Sequence, residues 1–223
     1  MALINLRNAL MSGKKSPLPP GARWVEYLQS TGTQWIDTGV IFGADNGFSI
    51  TYSPTSADTH VNNSSIFGSR TTNGDTRMMV GFNANNAGTA GVGCGVYIGW
   101  GVLAIPTSSA RIAKIGLWYT ATANISTAIA TDGMGATASL STLPTQTRTA
   151  YIFGANTQSG PLLCRSRIAA CKIYKNGVLF RSLAPIAIGT TGYMLDLVSG
   201  EYLPYGNKGA GDFTIGPDMP SPV

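Results

Sequence analysis

Short runs of β-branched and aromatic residues, separated by turn-forming residues, fill the chain from Trp24 onward. Residues 47–52 and 78–82 are two such runs, and residues 112–119 alternate imperfectly but have a composition that also predicts a strand. Turn signals recur about every 8–12 residues, a spacing typical of sandwiches and barrels. No stretch after Trp24 keeps a helical period long enough to cover a parallel sheet. The pattern therefore predicts an all-β, antiparallel sandwich.

Two β-hairpins are predicted, the first between residues 168–174 and 178–181 and the second between residues 193–197 and 201–203. The turn of the first contains Asn176 and Gly177. Both residues accept a positive φ at little cost, which makes Asn-Gly between two β-type runs a strong hairpin signal.

The positive charge of the chain is concentrated near its start. Four of the 15 Lys and Arg residues lie within residues 1–23, which contain no acid, so the remainder is nearly neutral. The remainder also has no basic stripe interleaved with aromatic residues, the pattern typical of nucleic-acid-binding domains. We therefore expect no nucleic-acid partner, whereas an acidic partner for the basic start of the chain remains open.

Few side chains are available for metal or acid–base chemistry. The chain has one histidine, and only Glu26 and Glu201 among its ten acidic residues are glutamates. A histidine-rich metal site is therefore excluded. Cys94, Cys164 and Cys171 form no Cys-x-x-Cys pair, so we predict free, buried thiols in a reducing compartment.

Residues 3–11 have the period of a short amphipathic helix. Its apolar positions are Leu3, Ile4, Leu6, Leu10 and Met11. A helix this short is marginal in isolation, so its apolar side needs a partner surface. Residues 16–21 contain three prolines and predict a semi-rigid spacer of about 3.1 Å per residue. We predict that residues 1–20 form a docking arm and linker attached to one domain at residues 21–223; the alternative is that the arm folds back on that domain.

Neither a signal peptide nor a membrane span is expected. Arg7 interrupts the first apolar run early, and no cleavage site with small residues follows. The longest nearly apolar stretch, residues 96–105, is about half as long as a membrane-spanning helix.

Segments near both ends of the chain resemble one known family. They are residues 24–39, 167–181, 192–202 and 209–217. These segments resemble the first and closing strands of concanavalin A-like, laminin-G-like jelly-roll domains of bacteriophage virion proteins and gut-bacterial surface proteins. The resemblance implies an antiparallel jelly-roll β-sandwich whose first and last strands lie close together. The short helical arm predicted from the pattern of residues 3–11 precedes this sandwich.

The same superfamily includes glucanases, which resemble one another in a strand with acidic residues at alternate positions. No such strand exists here, and the lone His60 is expected to be solvated. Asp and Asn residues at 58–63 and 83–86 could bind calcium, but turn preference explains them equally well. We therefore predict no enzymatic activity, no metal and no cofactor, with a divergent glycoside hydrolase as the least favoured alternative.

Sugar binding would require an exposed aromatic ring. Trp100 is the first candidate, because glycines on both sides leave its ring accessible, although core packing remains equally open. For Trp24, Trp35 and Trp118 we predict core packing.

These features together predict a non-enzymatic virion structural protein of a bacteriophage, either decorating the capsid or associated with the tail. Residues 1–20 would dock on other virion proteins, and the lectin-like body would be displayed on the virion surface after assembly in the host cytoplasm. The protein would also adhere to host or mucosal glycans. Homo-oligomers of the protein are compatible with this role. The alternative is a glycan-binding module of a bacterial surface protein.

Overall fold

The computed structural model describes residues 18–55, 64–71, 77–83, 91–98, 102–103, 112–124, 129–135, 137–139, 145–203, 205–206 and 211–219. Regular secondary structure in these residues consists of β-strands. Among them there is no helix with the length and hydrophobicity needed to cross a bilayer. The predicted helical arm lies outside the described residues.

The strands are, in chain order, β1 (Ala22–Trp24), β2 (Leu28–Gln29), β3 (Trp35–Ile41), β4 (Asn46–Pro54), β5 (Ser65–Arg70), β6 (Arg77–Asn83), β7 (Gly91–Ile98), β8 (Val102–Leu103), β9 (Ile112–Lys114), β10 (Tyr119–Asn124), β11 (Ile129–Thr131), β12 (Thr137–Ser139), β13 (Thr149–Ile152), β14 (Gly154–Ala155), β15 (Leu162–Leu163), β16 (Ser166–Lys175), β17 (Val178–Ile188), β18 (Thr191–Asp196), β19 (Tyr202–Leu203), β20 (Tyr205–Gly206) and β21 (Thr214–Ile215).

Two antiparallel sheets contain nearly all of these strands. The first sheet has the order β12-β11-β10-β4-β16-β17-β18-β19, with β1 paired to β17 and β2 lying between β16 and β21. The second sheet has the order β20-β3-β13-β5-β6-β7-β8, with β9 also paired to β7. The short strands β14 and β15 pair separately. The predicted all-β, antiparallel sandwich is confirmed.

The main core lies between the sheets and contains three phenylalanines that pack on one another. Phe48 of β4 and Phe67 of β5 come from different sheets, and their ring centroids are 5.0 Å apart. Phe42 lies between β3 and β4 and packs on both rings. Its ring centroid is 6.3 Å from that of Phe48 and 5.7 Å from that of Phe67. Aromatic pairs at these separations stabilise a core beyond the area that they bury.

Both predicted hairpins are confirmed. β16 and β17 pair around a turn in which Asn176 and Gly177 have φ values of 49° and 75°. Tyr174 pairs with Leu179 and Ile173 with Arg181, so Phe180 is the extra residue of a β-bulge. The second hairpin pairs β18 with β19.

The carboxylate of Asp196 holds the turn of the second hairpin. It accepts hydrogen bonds from Arg181 Nη1, the Ser182 and Val198 amides and the Ser199 hydroxyl, at 2.9 to 3.1 Å. Such a buried carboxylate is stable only because its lone pairs are satisfied.

The strand predicted at residues 112–119 is wrong as a single element. β9 ends at Lys114, and β10, in the other sheet, begins at Tyr119. Gly116 has a φ of 82°, and its amide donates to the Pro54 carbonyl at 2.9 Å, so a turn carries the chain between the sheets. The imperfect alternation at 112–119 marks this change of sheet.

The two ends of the described chain meet, as the resemblance implied. Leu28 of β2 pairs with Ile215 of β21, and Arg23 forms an ion pair with Asp218 at 2.8 Å. A second, smaller apolar cluster covers the opposite face of the first sheet beside β1. Its members include Leu18, Trp24, Ala184, Ile186, Leu195 and Met219.

Cys164 and Cys171 are free and fully buried, as predicted. Burial raises the pKa of the Cys164 thiol to about 12, although a hydrogen bond with Ser166 acts in the opposite direction. Burial likewise raises the pKa of Cys171. Both thiols are therefore protonated and unreactive at neutral pH. The side chain of Cys94 lies outside the described side chains.

We expect Gly68→Ala to destabilise the fold strongly. Gly68 has a φ of 130°, and a Cβ there would overlap the Met78 carbonyl oxygen. Gly160 has a φ of 114° but open space where a Cβ would lie, so Gly160→Ala isolates the cost of the backbone conformation, about 1–3 kcal/mol. Urea unfolding should show Gly68→Ala to be less stable than Gly160→Ala by at least ~2 kcal/mol. Equal stability of the two variants would contradict the close contact.

Candidate functional site

The residues singled out from the sequence for docking and sugar binding lie outside the described residues. They are Leu3, Ile4, Leu6, Leu10, Met11 and Trp100. His60 lies outside them as well. Among the residues that are described, no group of three or more His, Cys, Asp or Glu side chains is placed to hold a metal ion.

The outward face of the first sheet carries a different set of side chains. In β2 and its flank, Leu28 points into the core, so Tyr27 and Gln29 on either side of it point outward. Arg167 of β16 pairs with Gln29 on one side and with Ser53 of β4 on the other. Residues paired across antiparallel strands share a face, so these side chains form one outward row.

Trp118 completes this group. It lies between the turn at Gly116 and the start of β10, and its ring centroid is 5.9 Å from that of Tyr27 at an interplanar angle of 48°. The residue is 36% exposed. The prediction of core packing is therefore wrong for Trp118, because the chain crosses between sheets here and its side chain falls on the outer face.

Arg167 is held in place by two contacts. Its Cζ lies 4.7 Å from the centroid of the Tyr27 ring, and its Nε donates to Gln29 Oε1 at 2.8 Å. A guanidinium over an aromatic ring is stabilised by the negative face of that ring. We call Tyr27, Gln29, Trp118 and Arg167 the Tyr27–Trp118 surface.

The closing strand supports the Tyr27 ring from the other end of the chain. The Gly216 amide donates to the Tyr27 carbonyl at 2.9 Å, and the Glu26 amide donates to the Pro217 carbonyl at 2.9 Å. A Cβ at Gly216 would lie 2.9 Å from a Tyr27 ring carbon, so only glycine lets the ring pack this closely. The position of Tyr27 therefore depends on a segment nearly 190 residues away in the sequence.

Ser53 is buried within the same row. It is 0% exposed, and its hydroxyl has no hydrogen-bond partner in the described structure. An unpartnered buried hydroxyl costs about 1–3 kcal/mol of stability.

A second aromatic pair lies on the second sheet. The Trp35 and Tyr151 rings stack with centroids 5.8 Å apart and an interplanar angle of 21°. Both residues are only partly exposed, and burial together with the nearby Asp37 carboxylate raises the pKa of Tyr151. Each of these stacked rings therefore covers part of the other. Core packing is confirmed for Trp24, which is 9% exposed, and Trp35 is half-buried.

The Tyr27–Trp118 surface offers both apolar and polar contacts to a ligand. The exposed Trp118 ring, which packs against Tyr27, provides area for a flat apolar face, and a fixed guanidinium and an amide beside it can hydrogen-bond to oxygen atoms. Tyr27, Gln29 and Arg167 were not predicted from the sequence as site residues. The alternation around Leu28 marks Tyr27 and Gln29 as outward-facing, but only the strand register brings Arg167 to them.

No protein-family model matches the chain, and no curated protein matches its sequence significantly. Among solved structures, the fold is similar to that of a protein from Bacteroides ovatus named "putative carbohydrate binding protein", with a TM-score of 0.51 and 10% sequence identity. The match covers 86% of this chain and 60% of the neighbour's chain. At this identity the likeness shows the fold alone, which is consistent with the implied concanavalin A-like sandwich.

We predict that Ser53→Ala leaves the protein as stable as the wild type or more stable, by up to ~2 kcal/mol, because it removes a hydroxyl without a partner. Ser30→Ala is the contrasting variant. The Ser30 hydroxyl is buried, donates to Gln34 Oε1 at 3.1 Å and accepts from the Gly32 amide at 3.0 Å, so its loss should destabilise. Chemical denaturation measures the free energy of unfolding of both variants. A large loss of stability in Ser53→Ala would mean that its hydroxyl is satisfied.

Proposed function

We propose that residues 21–223 form a carbohydrate-binding module that acts through the Tyr27–Trp118 surface. The observation that carries this proposal is the exposed Trp118 ring beside Tyr27, with the hydrogen-bonding groups of Arg167 and Gln29 next to both. The name of the similar Bacteroides ovatus protein also supports it.

The chemistry of sugars suits such a surface. A pyranose ring has an apolar face of C–H groups that stacks on aromatic rings, and hydroxyls around its edge that need hydrogen-bond partners. Trp118 would contact the apolar face, with the Tyr27 ring supporting it from the side, while Gln29 and Arg167 would hold edge oxygens. An open sheet face fits an internal segment of a glycan chain or its end.

Binding without catalysis is part of the proposal. Related glucanases carry alternating acidic residues on one strand, and the sequence has no such strand. Release of reducing sugars from a polysaccharide panel by the purified protein would instead support the glycoside hydrolase alternative.

Trp118→Ala should abolish or weaken glycan binding by about 10-fold or more, because a central aromatic contact dominates the energy of a small interface. The measurement is a glycan array with the full-length protein, followed by titration of the best ligand. Phe180→Ala is the matched control, since Phe180 is 46% exposed but lies in the bulge opposite Tyr174, at the far end of β16 from Arg167. Undiminished binding by Trp118→Ala would reject this surface, and a wild-type protein that binds no glycan at any density would reject the function.

We further propose that residues 1–20 attach the module to a larger assembly, the capsid or tail of a bacteriophage, so that the module is displayed on the virion surface. The apolar stripe of residues 3–11 and the proline spacer support this, and so does Leu18, which packs on the cluster beside β1 and anchors the linker to the body. Repeated copies would raise weak glycan binding by about 10²–10⁴-fold through avidity. The rival setting is a bacterial surface protein.

Deletion of residues 1–16 tests the attachment while keeping Leu18. The shortened protein should keep the circular dichroism spectrum and thermal unfolding of the body but fail to co-sediment with phage particles. Leu6→Asp with Leu10→Asp in the full chain should have the same effect, because charges on the apolar stripe oppose docking. Undiminished incorporation of both variants would refute the docking arm.

A further inference from the structure

Arg167 carries a positive charge that no acidic side chain neutralises in the described structure. The ion pairs found among the described residues are Arg23–Asp218 and Arg181–Asp196. Glu26 is the neighbour of Tyr27 in the chain, yet it forms no ion pair with Arg167 within 4.0 Å. A partly buried, unpaired guanidinium on a binding surface favours an anionic ligand.

The direction from which an anion can approach is set by the contacts of Arg167. Its Nε is already used by Gln29, and its planar group lies against the Tyr27 ring. The two terminal nitrogens, Nη1 and Nη2, make no hydrogen bond with any described residue. Their parallel N–H groups match the two oxygens of a carboxylate, and such bidentate pairs are stronger and more directional than neutral hydrogen bonds. The guanidinium is also already oriented, so little side-chain entropy is lost when it binds.

We propose that the Tyr27–Trp118 surface selects glycans that contain a carboxylated sugar, a uronate or a sialate. This inference rests on the proposed function and names its ligand class. The ring of the acidic sugar stacks on the exposed Trp118 ring beside Tyr27, and its carboxylate binds end-on to Nη1 and Nη2 of Arg167. Gln29 positions the guanidinium and remains available to a neighbouring hydroxyl through its amide nitrogen.

Two further cationic side chains near the Tyr27–Trp118 surface also favour a negatively charged ligand. Lys114 is exposed at the base of the turn that precedes Trp118, where its carbonyl accepts the Leu117 amide at 3.2 Å. Arg165, two residues before Arg167, is exposed and donates from Nε to the Thr31 carbonyl at 2.8 Å. These cations raise the local concentration of an anionic ligand, whereas Arg167 alone lies against Tyr27 and would supply the direct contact.

The experiment compares matched pairs of sugars that differ in the carboxylate. The full-length protein is titrated calorimetrically with a hyaluronan hexasaccharide and with its carboxyl-reduced form, and with 3′-sialyllactose and lactose. For at least one pair, the wild type should bind the carboxylated member about 10-fold or more tightly. Arg167→Gln should lower this ratio to about 1, because the affinity for the carboxylated member falls much more than the affinity for the neutral member. Arg167→Lys keeps the positive charge but lacks the paired N–H groups of the guanidinium. It should keep only part of the preference for the carboxylated sugar.

Arg165→Gln is the matched control, because it removes one positive charge two residues away without touching the Tyr27 ring. Its preference for the carboxylated sugar should fall by no more than about 2-fold, because Arg165 contributes only long-range attraction and no direct contact. Equal affinity for both members of each pair in the wild type would overturn the inference while leaving sugar binding intact. An equal loss of affinity for the charged and neutral members in Arg167→Gln would also overturn the inference, since Arg167 would then only support Tyr27.

Equally tight binding of a sulfated, carboxyl-free lactose would show a general anion site and overturn carboxylate selection. Failure of the glycan array in the wild type would instead reject the proposed function.

Discussion

The contact among Phe42, Phe48 and Phe67 is the interaction on which the rest of the structure depends. Phe48 belongs to the first sheet, Phe67 to the second, and Phe42 to the connection between β3 and β4, so the three rings join both sheets and one crossover between them. All three are buried. Because a shift of one residue would turn every side chain of a strand to the other face, burial of these rings fixes which positions point inward and which are left for the surface.

The candidate surface depends on how the two ends of the domain meet. β2 has two residues, and it is held between β16 and β21. A strand this short has no stability of its own, so pairing on both sides is what places Tyr27 beside Arg167. Gly216 then leaves space for the Tyr27 ring, since a side chain there would overlap it. A ligand site on this face therefore forms only when the first and last strands of the domain pair with each other.

Local chemistry explains which expectations were confirmed. The Asn176-Gly177 turn depends on backbone preferences of adjacent residues, and the structure has the positive φ values that these preferences imply. By contrast, residues 37–39 contain an aspartate and a glycine, which are typical of turns, and yet β3 continues to Ile41. Thr149 pairs with Ile41 and Tyr151 with Asp37, so the extra residues of β3 form a bulge around Gly39, whose φ is 68°. A glycine that ends a strand and one that bulges it look alike in sequence.

The sequence by itself determined the fold class, the main hairpins and the absence of a strand with alternating acids, because alternation, turn chemistry and composition act over a few neighbouring residues. Tertiary structure alone decided that Trp118 faces outward and meets Tyr27, and that Arg167 lies over that ring without an acidic partner among the described residues. These contacts join positions about 90 and 140 residues apart in the chain, and their geometry follows from strand order and register, which no local pattern encodes.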